Sequence, residues 1–115
     1  MTTSPEKTTA AAKMAQAQVS IAKNVATASQ IGATYKFILE GDGGGTWMVK
    51  LHTDPVIHEG DEPADCIIQM DATDYVDMLE GRVEGQQLFF EGKLTIDGDM
   101  ALAMKLQALN ELMAQ

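Results

Sequence analysis

His52, His58, Glu59, Asp61, Glu62 and Cys66 fall within one short stretch and are the residue types that ligate metal ions. Their spacing does not suit the task. No pair repeats at the helical or hairpin interval of a zinc site, and Pro55 separates the two histidines onto different strands. The carboxylate pairs Asp71/Asp74 and Asp97/Asp99 have the proximity that acid–base chemistry needs, but each precedes a helical pattern, where an anion serves as a cap. Neither histidine has a Ser, Cys or Asp partner in a nucleophile motif, and no Gly-x-Ser-x-Gly occurs. Gly41-Asp42-Gly43-Gly44-Gly45 could cradle a phosphate only if a helix followed it; an alternating strand follows instead, so the run reads as a hairpin loop. The expectation is a chain without catalytic residues, cofactor or metal.

The elements that would position any site follow from periodicity. Tyr35, Phe37 and Leu39 share one face of a first strand, and Trp47, Val49 and Leu51 one face of a second. Val56 to His58 is a short third strand, ended by the acidic turn Glu59-Gly60-Asp61-Glu62-Pro63. In the fourth strand Cys66, Ile68 and Met70 point one way, Ile67 and Gln69 the other. Thr73 is placed to cap a helix over Asp74–Glu80 that buries Tyr75, Val76 and Leu79 or Met78 and stops at Gly81. A short helix over Glu84–Phe90 and a fifth strand over Lys93–Asp97 come next. The last element is a helix over Met100–Met113, capped by Asp99, with Leu102, Leu106, Leu109 and Met113 in one stripe and Met100 and Met104 in a row beside it.

At the other end, Met1–Thr9 is a polar, flexible tail, and residues 10–115 form one domain. Ala10–Ser29 has the composition of a helix, with a thin apolar stripe of Met14, Val19, Ile21 and Val25 that should lie lightly on the rest. The order predicts an α+β fold: a five-stranded, mostly antiparallel sheet with helices on one face.

The run Phe89-Phe90-x-Gly92-Lys93-Leu94-x-Ile96-x-Gly98-x-Met100-x-Leu102-Ala103-Met104-Lys105-Leu106-Gln107 closely resembles the sterol carrier protein type 2 family. Ala64-Asp65-Cys66 through Asp74-Tyr75 to Gly81, and Gly45-Thr46-Trp47, are similar to the same family, so the resemblance runs from Ile31 to Leu109. It implies a fold of five strands with helices over one side, enclosing an apolar tunnel. It also implies a non-enzymatic carrier for a fatty acid, fatty acyl-CoA, phospholipid or sterol. The first helix departs from the family in lacking large apolar residues.

With that resemblance, the methionines read as lining. Five of the eight, Met70, Met78, Met100, Met104 and Met113, lie in the second half, and an unbranched thioether can adapt to ligands of different shape as readily as it fills a core. The residues expected to touch lipid are Trp47, Met70, Leu79, Phe89, Phe90, Met100, Met104, Leu109, Leu112 and Met113. Leu102 and Leu106 are expected to hold the final helix to the sheet while its second half closes the tunnel. Two alternatives stand beside this reading: a module that docks or dimerises through the C-terminal helix, and an accessory domain of acyl-thioester metabolism.

Composition narrows the partners. The chain has 115 residues, 45% of them hydrophobic, which suits one globular core. Its net charge of −9 argues against nucleic acid or an anionic membrane as a tight partner. A lone cysteine cannot form an internal disulfide, and no run is apolar and long enough to insert stably in a membrane. The N-terminus lacks the apolar centre of a signal peptide, and the ending Met113-Ala114-Gln115 is not a peroxisomal Ser-Lys-Leu signal. The expected location is the cytoplasm.

Overall fold

The computed structural model describes residues 9–41, 43–52 and 54–114. The elements, in chain order, are α1 (Ala10–Lys23), α2 (Val25–Ile31), β1 (Thr34–Glu40), β2 (Gly45–Lys50), β3 (Val56–Glu59) and β4 (Cys66–Asp71), followed by α3 (Ala72–Leu79), α4 (Gly85–Phe90), β5 (Leu94–Gly98), α5 (Met100–Met104) and α6 (Leu106–Ala114). The expected tail lies outside the described residues except for Thr9, whose hydroxyl accepts the Ala12 N–H at 3.1 Å and caps α1.

One mixed sheet runs in the order β3-β2-β1-β4-β5. β1 and β4 pair in parallel, Tyr35 opposite Cys66, and the other three ladders are antiparallel. The strand faces fall as the alternation requires: Tyr35, Phe37, Leu39, Trp47, Val49, Cys66, Ile68 and Met70 are all buried under the helices.

A parallel β1–β4 pair needs a crossover, because the chain leaves β3 at the sheet's edge and must return past β2 and β1. The acidic turn makes that return on the opposite face. Asp61 accepts from Lys36 Nζ at 2.7 Å and Glu62 from Lys50 Nζ at 2.8 Å, while the Glu62 N–H reaches the Met48 sulfur at 3.4 Å and Met48 is fully buried. Pairs this exposed contribute under about 1 kcal/mol each, so the turn is fixed more by covering Met48 than by its charges.

Both long helices expected from the sequence are broken in two. At Asn24 the side-chain amide donates to the Ser20 carbonyl at 2.8 Å, and the backbone N–H turns to Ile21 instead. The side chain thus takes the acceptor that a continuing helix would use. At Lys105 the carbonyl of Leu102 accepts both the Lys105 N–H, at 3.0 Å, and the Tyr35 hydroxyl, at 2.8 Å, and the chain bends before α6. The cap of α3 is Asp71, accepting from the Thr73 N–H at 2.9 Å, rather than Thr73 itself. Asp99 caps α5 as expected, accepting from Ala101.

α1 does not lie lightly. Its buried stripe is Ala10, Met14, Ala17 and Ile21, and Val19 and Val25 are exposed. Alanines at the interface let the helix backbone approach closely, so thin side chains here mean tight packing against α6, α3 and β3.

Candidate functional site

A groove of about 410 Å³ opens where α1 passes the β3 edge of the sheet. One wall is Ala11, Met14, Ala15 and Gln18, spaced to share one face of α1; the other is Trp47, Ile57, His58 and Glu59 from β2 and β3. The helix is fastened there by one side chain. Gln18 accepts the Ile57 N–H with Oε1 at 2.5 Å and donates Nε2 to the Pro55 carbonyl at 3.5 Å. A free strand edge is thereby paired, which also removes a site for unwanted strand addition.

Met14 joins this groove to the core. Its sulfur accepts the Tyr75 hydroxyl at 3.2 Å, and the Tyr75 ring meets Phe37 edge-on with centroids 5.6 Å apart. Burial pushes the Tyr75 phenol far above its ordinary value. Tyr35 is pushed up to about 12, by burial first and then by Cys66 and Asp99. Both hydroxyls are therefore donors held in an apolar layer, not acids.

The residues expected to touch lipid divide into three groups. Trp47 faces the groove and is 7% exposed. Met70, Leu79, Leu109, Leu112 and Met113 lie in the buried layer between sheet and helices. Phe89, Phe90, Met100 and Met104 are 47%, 75%, 71% and 84% exposed, on α4 and α5, which both pack on the edge strand β5. The reason is local: α4 buries only Leu88 and α5 only Leu102, so their other apolar side chains face outward, with Phe89 and Phe90 packing on each other at 6.0 Å.

Sequence reasoning missed Ala11, Ala15, Gln18 and Ile57. The available signal was the spacing of Ala11, Met14, Ala15 and Gln18 on one helical face, which alanines hide from a search for large apolar residues.

The candidate metal ligands do not converge. His52 Nε2 lies 3.1 Å from the Thr34 hydroxyl, and His58 contacts the Glu59 carbonyl and, at 3.6 Å, Glu62. Cys66 is buried in the core, its thiol pushed up by burial and then by Asp99, Asp97 and Asp65. Among the described residues, no three His, Cys, Asp or Glu side chains are placed to hold a metal ion.

Residues 11–111 match the SCP-2 sterol transfer family. The chain belongs to this family. Hydroxysteroid dehydrogenase-like protein 2 of Danio rerio is 40% identical over 82 residues, which are 69% of this chain and 20% of that protein. Sterol carrier protein 2 of Rattus norvegicus is 40% identical over 85 residues, 70% of this chain and 16% of that protein. The chain thus spans a fifth or less of the length of these relatives.

Solved structures show the same fold. A sterol carrier protein 2 of Yarrowia lipolytica superposes with a TM-score of 0.79 at 17% identity, covering 92% of each chain. The sterol carrier protein domain 2 of Helicoverpa armigera gives 0.76 at 26% identity, covering 99% of this chain and 94% of that one. A sterol carrier protein 2 of Aedes aegypti, solved with palmitate, gives 0.66 at 20% identity, covering 87% and 96%. In this SCP-2 domain, no helix among the described residues is long and apolar enough to cross a membrane.

Proposed function

We propose that this SCP-2 domain binds and transfers a lipid without reacting with it, and that the groove beside Trp47 is the mouth of its site. The carrying observation is that Met14 on one wall of the groove faces Trp47 and Ile57 on the other, and that Met14 also belongs to the buried sheet–helix layer. The groove's size falls within the range of small-molecule sites. Each methylene withdrawn from water contributes about 0.8 kcal/mol, and apolar burial makes little directional demand, so the site suits chains of varied length. A ligand tail passing Met14 would meet Met70, Leu79, Leu109, Leu112 and Met113. Met14 is buried in the core, and its unbranched thioether, whose sulfur accepts the Tyr75 hydroxyl, is the part that would move aside. Palmitate bound to the Aedes aegypti relative supports the same ligand chemistry here.

Two further observations bear on the alternatives. Among the described residues that line the groove there is no Ser, Thr, Cys or Lys, and the only groups of nucleophile type are His58 and Glu59. The apolar stripe of α6 is spent inside its own domain, with Leu106, Leu109, Leu112 and Met113 all buried, so it is not offered to a partner.

The test uses delipidated protein and an uncharged fluorescent long-chain acyl ester. Saturable uptake that perturbs the emission of Trp47, the sole tryptophan, and survives chelator without added nucleotide is the expected result. Uptake abolished by chelator, or restored only by zinc, would overturn it.

A further inference from the structure

We propose that the β5 edge of the sheet docks a second copy of this chain, the two edge strands pairing antiparallel about Ile96 so that Lys93 of each copy meets Asp99 of the other. The proposal does not depend on the lipid reading.

β5 ends the sheet on the side opposite to β3. The Asp99 N–H donates at 3.2 Å to the carbonyl of Asp65, the residue before β4. Alternation along the ladder then turns the N–H and C=O groups of Gly98, Ile96 and Leu94 away from β4, along the free edge. Among the described residues nothing bonds to them, whereas Gln18 closes the β3 edge. An open strand edge is a template for another strand.

Large apolar side chains stand at both ends of this edge. Phe89 and Phe90 close α4, just before β5, and Met100 and Met104 bound α5, just after it; all of them are exposed. Apolar groups gathered in this way on a small domain mark a surface that something covers. In an antiparallel pair the start of one strand lies beside the end of the other. The phenylalanines of each copy are thereby brought toward the methionines of the other, a favourable combination of sulfur and ring.

Charge complementarity selects the occupant. Edge charges ordinarily deter a second strand, and −9 on each copy opposes association. The register that pairs every residue of β5 is centred on Ile96, and it is self-complementary. Thr95 falls opposite Asp97, and Lys93 opposite Asp99, one residue beyond each end of the strand. Thr95 and Asp97 are exposed on the face away from the helices, since Leu94 is buried under the helices and Ile96 packs on the core. Lys93 is free to turn, because its pair with Glu91 is long, at 3.4 Å, and exposed. A lipid bilayer would cover the phenylalanines and methionines but leave the strand edge and this matched order of charges unused.

The surface is small beside that of a permanent dimer, about 2,000 Å² or more, so association should be reversible. Sedimentation of the full chain from roughly 1 to 500 μM, in about 0.15 M salt to screen the repulsion, is expected to show a monomer–dimer equilibrium. Phe90→Glu should weaken the dimer at least about tenfold. Thr95→Lys, which sets a cation opposite Asp97 of the second copy, should tighten it about threefold or more, a gain that loss of folding cannot produce. A chain that stays monomeric throughout the range, or a dimer that either substitution leaves unchanged, would overturn the inference. A monomer that binds phosphatidylcholine vesicles, and loses them in Phe90→Glu, would assign the patch to a membrane and overturn it as well.

Discussion

Deleting residues 106–115 is expected to leave a chain with no cooperative unfolding transition. The segment buries Leu106, Leu109, Leu112 and Met113, and α6 packs on α1, α2 and α3, tying the helical layer together. Full burial of each such side chain contributes roughly 1.5–3 kcal/mol, and four together approach the whole stability of an ordinary small domain, about 5–15 kcal/mol. From the sequence, a lid role for the second half of the helix predicts that deleting residues 108–115 weakens lipid binding and spares the fold. Burial places the segment in the core instead. A milder variant separates the two roles: Leu109→Ala should fold but lose about 2–5 kcal/mol, the range for emptying a leucine site. Circular dichroism and thermal melting read both. A truncated chain that still melts cooperatively would show that α6 is an accessory to the fold.

Gly98→Ala should be among the most damaging single changes in the domain. Gly98 closes β5 with φ +121° directly opposite Cys66, a backbone that side-chain-bearing residues rarely adopt. A Cβ at this position would collide with the Asp65 carbonyl oxygen and come within 3.1 Å of the Cys66 Cα, both backbone atoms that cannot rotate away. That carbonyl also accepts the Asp99 N–H at 3.2 Å, so shifting it disturbs the cap of α5. Gly92 provides the control. Its φ is +75°, but a Cβ there would meet nothing within 4 Å. Gly92→Ala should therefore cost only the backbone term, about 1 kcal/mol, and Gly98→Ala about 3 kcal/mol or more. Urea midpoints measure the difference. Equal losses at the two sites would mean that the collision at Gly98 is relieved by movement.

Much of this fold is legible in the sequence because strands declare themselves locally. Tyr35, Phe37 and Leu39, or Cys66, Ile68 and Met70, need only alternate to fix which face is inward. The helix breaks are not local in the same sense. Tyr35 donates to Leu102 across 67 positions, and no window around Lys105 contains that bond. The groove was hidden for a different reason: Ala11 and Ala15 make it by being small, so the signal is an absence of bulk on one helical face. The exposed set of Phe89, Phe90, Met100 and Met104 shows the converse. Apolar type and helical spacing mark a residue as capable of burial, and only the packing of short helices on β5 decides whether it is buried.

Filling the groove tests lipid entry beside Trp47 most directly. Ala15 is exposed and lines the groove, so Ala15→Phe adds a ring to it without touching the core. The cost to the fold is small, about 0.5 kcal/mol of helix propensity. Affinity for the uncharged acyl ester, followed by the probe's own emission, should fall at least about tenfold, with a melting temperature within about 4 °C of the original. Unchanged affinity in a stably folded Ala15→Phe protein would place the lipid elsewhere in the domain.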